Sequence, residues 1–238
     1  MEAFSSAHSI SFYSSRIGEI EPSSFSGLSV FNITFESSSI ERIHTSAFPE
    51  KSAVQNLAFI NCTIRSVSEN AVTSGISELK ILNTTLSSIS KEAFKTPVVK
   101  VIIKYCVFKT LVETSFVFKS WDQVIIESNL FNFLGEYSFL GISEPNSPSD
   151  FQFTDNQISN ANLNALKIDT TKGEAALNQT SGNTFLSKKC ECDIDHWLMM
   201  VTGEENPKDP SAWTIALLET SYCKVFSNCI FIGIFIIF

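Results

Sequence analysis

One spacing rule organises most of this chain. The pattern I-x-x-I-x-x-x-x-F appears first as Ile17, Ile20 and Phe25, then as Ile40, Ile43 and Phe48. It continues as Ile64, Val67 and Val72, and as Leu86, Ile89 and Phe94. Phe108, Leu111 and Phe116 come next, then Phe131, Leu134 and Phe139, and a weaker copy at Ile158, Ala161 and Leu166. The first positions lie 23, 24, 22, 22, 23 and 27 residues apart. The longest step follows the loop-like insertion EPNSPS at 144–149.

Two residues before each first position stands a small polar or thiol residue: Ser15, Ser38, Cys62, Thr84, Cys106, Asn129 and Asn156. Five and three residues earlier lie apolar pairs such as Ile33/Phe35, Leu57/Phe59, Leu79/Ile81 and Val101/Ile103. Residues two apart share one face of a β-strand. The period predicts a solenoid whose turns each carry a strand and a return segment. The strands stack in parallel, about 4.8 Å apart. The polar column satisfies backbone groups at the bend after each strand, where an unpaired group would cost about 1–3 kcal/mol. The Phe column fills the space behind the sheet. Each turn buries about five or six apolar side chains, at about 1.5–3 kcal/mol each. Backbone entropy opposes this by about 1–2 kcal/mol per residue, so a turn is stable only when stacked. The return segments, SSSIERIHTSAF at 37–48 and TTLSSISKEAF at 84–94, have no period of two. They do not read as strands. A right-handed parallel β-helix is the alternative, and would show alternation there.

The composite L-x-x-L-x-L-x-x-(N/C/S/T)-x-I-x-x-I-x-x-x-x-F resembles the extracellular leucine-rich repeat family, from about Phe4 to Phe185. The resemblance implies an α/β fold, with a curved parallel β-sheet on the concave face and short irregular or helical segments on the convex one. After Gly182-Asn183-Thr184-Phe185, the run Cys190-Glu191-Cys192-Asp193-Ile194-Asp195-His196-Trp197-Leu198 resembles that family's cysteine-rich C-terminal cap. By resemblance the cap disulfides are Cys190–Cys223 and Cys192–Cys229, although the sequence alone permits three pairings. The expected division is a solenoid at 1–185, a cap at 186–229 and an apolar tail at 230–238. Met1-Glu2-Ala3-Phe4 matches the end of a repeat (Lys91-Glu92-Ala93-Phe94), so the chain is expected to start inside an array without its N-terminal cap.

Composition narrows the partners. Of 238 residues, 25 are Asp or Glu and 17 are Lys or Arg, a formal charge of −8 that argues against nucleic acid. Hydrophobic residues make up 44%, too many for a disordered chain. The ending CIFIGIFIIF at 229–238 is too short to span a bilayer, which takes about 20 residues. It reads as a buried strand or incidental tail, as the start of a truncated membrane span, or as part of a lipid-anchor signal. Sequons occur at Asn32, Asn61, Asn83 and Asn178. Together with the cap cysteines they favour an extracellular or cell-surface setting.

No catalytic constellation is visible, and the chain reads as a non-enzyme with no cofactor. His8, His44 and His196 show no metal-ligand spacing. Glu191, Asp193 and Asp195 read as a solvated cap surface, with a calcium site as the sharper alternative. Cys62 and Cys106 lie two turns apart, about 10 Å, beyond the roughly 7 Å that a disulfide allows between Cα atoms. They read as buried structural thiols.

The remaining surface is the concave face. Its middle turns carry an apolar track of Ala58, Ile60, Leu82, Ile102 and Ile125, flanked by Lys80, Lys100, Lys104 and Tyr105. Apolar area inside a polar rim marks a protein-binding patch. The expected function is extracellular recognition of a protein ligand or co-subunit. One alternative is a non-catalytic subunit of a secreted enzyme complex. The repeat and the C-x-C-D-I-x-x-W-L cap are similar to arthropod leucine-rich repeat proteins, a group that includes the non-catalytic subunit of a crustacean luciferin monooxygenase. The resemblance carries no luminescent chemistry. A truncated fragment without independent function is the other alternative.

Overall fold

The computed structural model describes residues 6–142, 146, 149–168, 176–186, 194–203, 211, 213–215, 217 and 222–223. The first turn carries β1 (Ser6–Tyr13) and β2 (Arg16–Ile20), the second β3 (Ser29–Glu36) and β4 (Ser39–Ile43). β5 (Ala53–Ile60) with β6 (Thr63–Val67), and β7 (Ile76–Leu82) with β8 (Thr85–Ile89), make the next two. β9 (Phe94–Lys104), β10 (Val107–Phe108) and a short β11 (Phe116–Lys119) follow. β12 (Gln123–Glu127) with β13 (Leu130–Phe131), β14 (Asp150–Thr154) with β15 (Gln157–Ile158), and β16 (Ala176–Ser181) with β17 (Thr184–Phe185) complete the array. A helix, α1 (Ile194–Thr202), and β18 (Tyr222–Cys223) come after it.

The expected parallel sheet is present, ordered β1-β3-β5-β7-β9-β12-β14-β16. The expected α/β class is not. The return segments form a second parallel sheet, ordered β18-β17-β15-β13-β10-β8-β6-β4-β2, and the protein is a β-solenoid. The local reason lies in the ladder. Ile17 pairs with Ile40 and Glu19 with Arg42, so the third residue of each strand is skipped. The same skip recurs at Arg65 and Ser87. At this bend Glu41 and Arg42 both turn outward, while Ile40 and Ile43 both turn inward. A kinked strand buries residues three apart, and this is why the segment lacks a period of two. The Phe column adds a narrow third ladder, with Phe48, Val72 and Phe94 bridged in sequence and Phe116 paired to Phe94.

Equivalent aromatic residues on successive turns stack face to face. Phe12, Phe35 and Phe59 have ring centroids 4.7 and 5.2 Å apart, and Phe25 lies 4.5 Å from Phe48. The inter-strand spacing suits stacked rings, so a Phe column extends the ladder's own repeat into the core. At the first turn, Ile10, Phe12 and Ile17 are only partly buried, whereas Ile33, Phe35 and Ile40 are sealed. At the other end α1 buries Leu198 and Val201. Leu166 donates its N–H to the Val201 carbonyl at 2.7 Å. Trp213 packs edge-on against Phe151 and Phe153, and its indole N–H reaches the Leu166 carbonyl at 2.8 Å.

The polar column does what its position predicts. Thr84 Oγ1 accepts the Cys62 N–H at 3.2 Å and donates towards the Leu82 carbonyl at 2.9 Å. From Asn129 onward the column becomes an amide ladder. Asn156 Oδ1 accepts both the N–H and the side-chain amide of Asn129 at 3.0 Å, and Asn183 does the same for Asn156 at 3.0 and 3.1 Å. The corner just before the column lies in the left-handed backbone region in every turn: Ser14, Ser37, Asn61, Asn83, Tyr105, Ser128, Asp155 and Gly182 all have φ between 46° and 69°. From Ser14 to Asp155 the N–H groups of these corners continue the inter-turn ladder around the bend, as from Asn83 to the Lys104 carbonyl at 2.9 Å.

Cys62 and Cys106 occupy this column as buried free thiols. Each donates to strand carbonyls, Cys106 Sγ to Ile81 and Lys104 at 3.2 Å. Burial pushes the Cys62 thiol up, and pushes that of Cys106 up to about 12. Neutral thiols are poor nucleophiles, so a thiol reagent at pH 8 should leave both unmodified in the folded chain and label both after denaturation. The sign of the linkage follows. The unfolded chain ionises first, so the stability held by the neutral Cys106 thiol is intact below about pH 9 and lost as pH rises towards about 12. Of the cap cysteines, Cys190, Cys192 and Cys229 lie outside the described residues, as do Glu191, Asp193 and the tail. No helix among the described residues is long and apolar enough to cross a membrane.

Candidate functional site: the outer face of the first sheet

Register fixes what this face presents. One row runs Thr34, Ala58, Lys80, Ile102, Ile125 and Gln152 across consecutive strands. The next runs Glu36, Ile60, Leu82, Lys104, Glu127 and Thr154. A third contains Asn32, Asn56, Glu78, Lys100 and Gln123. The predicted residues therefore share one face, but not one unbroken track. Lys80 stands between Ala58 and Ile102, and the Ile60–Leu82 pair occupies the adjoining row.

The exposure expected of that track is only partly met. Ala58 and Ile125 retain just 9% of their surface. Ile60, Leu82 and Ile102 are half-buried. Side chains on neighbouring strands are too close for a short or β-branched residue to stand clear of longer ones. Two of the three lysines are engaged: Lys104 pairs with Glu127 at 2.6 Å and Lys80 with Glu78 at 2.5 Å. Lys100 lies in register between Glu78 and Gln123. The face is balanced in charge, with a modest apolar centre.

Tyr105 is the prominent element. It is 59% exposed, at the corner that follows Lys104. Its φ of 58° is unusual for so bulky a residue, since a left-handed backbone costs a side chain with a Cβ roughly 1–2 kcal/mol. The equivalent corners of the two preceding turns carry Asn61 and Asn83, a residue type that tolerates this conformation.

The sequons acquire a structural explanation from the same corner. Asn83 Nδ2 donates to Asn61 Oδ1 at 2.7 Å, and both side chains are exposed. Asn32 is half-buried on the sheet face, accepting from Asn56 at 2.8 Å. Asn178 lies in β16, with its side chain outside the described ones. Sugars on neighbouring turns about 4.8 Å apart would collide. In a eukaryotic secretory cell, behind a heterologous leader, each molecule should carry at most one glycan across Asn61 and Asn83. Peptide mass spectrometry finding both occupied together would refute this.

Sequence reasoning missed one convergence. His44 Nε2 lies 2.9 Å from Glu19 Oε2, and Glu21 completes a group whose ligating atoms all lie within 4.8 Å of one another. The hydrogen bond to His44 holds the Glu19 carboxyl below its usual range. Ordinary metal-motif spacing cannot reveal such a group, but the repeat can. Subtracting one 23-residue turn from His44 lands on Glu21.

Comparison of the chain with protein-family models, with curated proteins and with solved structures finds no match in any of the three.

Proposed function

We propose that this chain is a recognition module of the extracellular leucine-rich repeat type, secreted or held at the cell surface, that binds a protein partner through the outer face of its first sheet. The observation that carries this reading is Tyr105. Tyrosine is a favoured interface anchor, because it offers a large amphipathic surface at small entropic cost. Here it projects in a conformation that its own backbone disfavours, one residue after Lys104, which pairs in register with the half-buried Leu82. A strained, exposed aromatic residue next to apolar surface fits a role in contact better than one in folding.

A displayed panel of extracellular domains, screened with the whole chain, tests the proposal. Binding should be lost in Tyr105→Ala and in Leu82→Asp, and kept in Ser87→Asp on the second sheet. Loss in the Ser87 variant alone would sink the idea. The strain supplies a separate prediction. Tyr105→Asn should raise stability by about 1 kcal/mol in urea unfolding, because it removes most of the left-handed penalty, while abolishing binding. A Tyr105→Asn protein less stable than the parent would mean that the tyrosine packs productively.

A further inference from the structure

The second sheet brings three ligating side chains to one place on its outer surface. Glu19 and Glu21 are two apart on one chain segment, so they point to the same side of it. Ile20, between them, points inward and pairs with Ile43, and His44 donates its N–H to the Ile20 carbonyl at 3.0 Å. That parallel register sets His44 beside Glu21 on the neighbouring turn. Glu19 in β2, Glu21 just beyond it and His44 just beyond β4 form a triangle, held in place by the ladder that ends beside them.

The dimensions suit a single ion. One ligating atom from each residue lies within 4.8 Å of the other two. Tetrahedral ligands at about 2.0–2.1 Å from a metal are about 3.3 Å apart, so small side-chain rotations close the triangle. The His44 side chain is 24% exposed and that of Glu19 47%, which leaves one side open to water. An imidazole with two carboxylates favours zinc and its first-row neighbours over calcium or magnesium, which prefer all-oxygen shells. The two carboxylates also repel one another, and a cation between them removes that repulsion. Arg42, in register with Glu19, opposes the cation and limits affinity.

We propose that Glu19, Glu21 and His44 bind a divalent first-row cation of the zinc class, with water completing its shell. His44 would coordinate through Nε2, its proton moving to Nδ1, and the metal would replace the hydrogen bond to Glu19. The inference is independent of the recognition role assigned to the first sheet.

The test is titration of the metal-free full chain with Zn2+ by calorimetry and with Co2+ by absorption. One saturable Zn2+ event should vanish in His44→Ala and weaken at least about tenfold in Glu21→Gln, since even indirect supports of a metal site are worth that much. Bound Co2+ should show visible d–d bands without a near-ultraviolet thiolate band, which separates this site from the cysteines. Unchanged melting of both variants without metal would show that the fold is intact. Zn2+ titrations of both variants that match the parent, a purely thiolate cobalt spectrum, or no saturable binding would each overturn the proposal.

Discussion

Replacing Asn156 by Ala should destabilise the solenoid by about 3–5 kcal/mol, the largest effect expected of any single polar change here. The side chain is fully buried and makes four hydrogen bonds. Its Oδ1 accepts from the Asn129 backbone N–H and amide, and its Nδ2 donates to the Ile126 carbonyl at 2.9 Å and to Asn183. Truncation leaves two donors of Asn129 without their acceptor and removes a donor from Ile126. Buried polar groups left unpaired cost about 1–3 kcal/mol each. Asn156→Thr provides the internal control, because Thr84 already fills the equivalent place three turns earlier, in the column's hydroxyl form. A hydroxyl restores the acceptor for the backbone N–H, so Thr should cost clearly less than Ala. Urea unfolding of the three proteins decides it. Equal losses would mean that the amide contributes by shape and not by hydrogen bonding.

Phe131→Ala should cost about 3–5 kcal/mol, the usual range for emptying a buried aromatic site. Phe131 is 1% exposed. It stacks on Phe108 at 5.0 Å, and meets Phe139 edge-on at 5.7 Å and Phe153 at 6.4 Å. It therefore joins three successive turns, and the backbone ladders on either side keep them from collapsing into the void. Because neighbouring turns stabilise one another, the damage should spread. Native-state hydrogen exchange should quicken in β10, β13 and β15 together. Acceleration confined to β13 would contradict this coupling.

Much of the architecture was legible because the chain repeats one physical problem. Each turn must bury a strand face, satisfy a bend and fill the space behind it. Ile33/Phe35, Ser38 and Phe48 mark those three demands at fixed offsets, and the structure places all of them as read. The second sheet was not legible, because the Ile40–Ile43 spacing of a kinked strand looks like a non-strand to any test for alternation. The left-handed corners were hidden too. They are occupied by Ser, Asn, Asp and Tyr, with Gly only at Gly182. The candidate surface was found in place but overestimated in exposure. Sequence assigns Ala58 and Ile125 to the outer face correctly, yet says nothing of how far longer neighbours shade them. The Glu19–Glu21–His44 group escaped because its members meet across turns.

The polar column also divides the molecule into two mechanical parts. From Ser38 to Cys106 each rung is a hydroxyl or thiol, bonded to the backbone of its own and the preceding turn. From Asn129 the rungs are bonded to one another as well, amide to amide. A load applied along the axis would thus meet a compliant segment in series with a stiff one. Stretch would concentrate in the earlier turns, which carry Tyr105 and the apolar centre of the first sheet. The later turns would move as a solid block, giving a continuous array a built-in boundary between what yields and what holds.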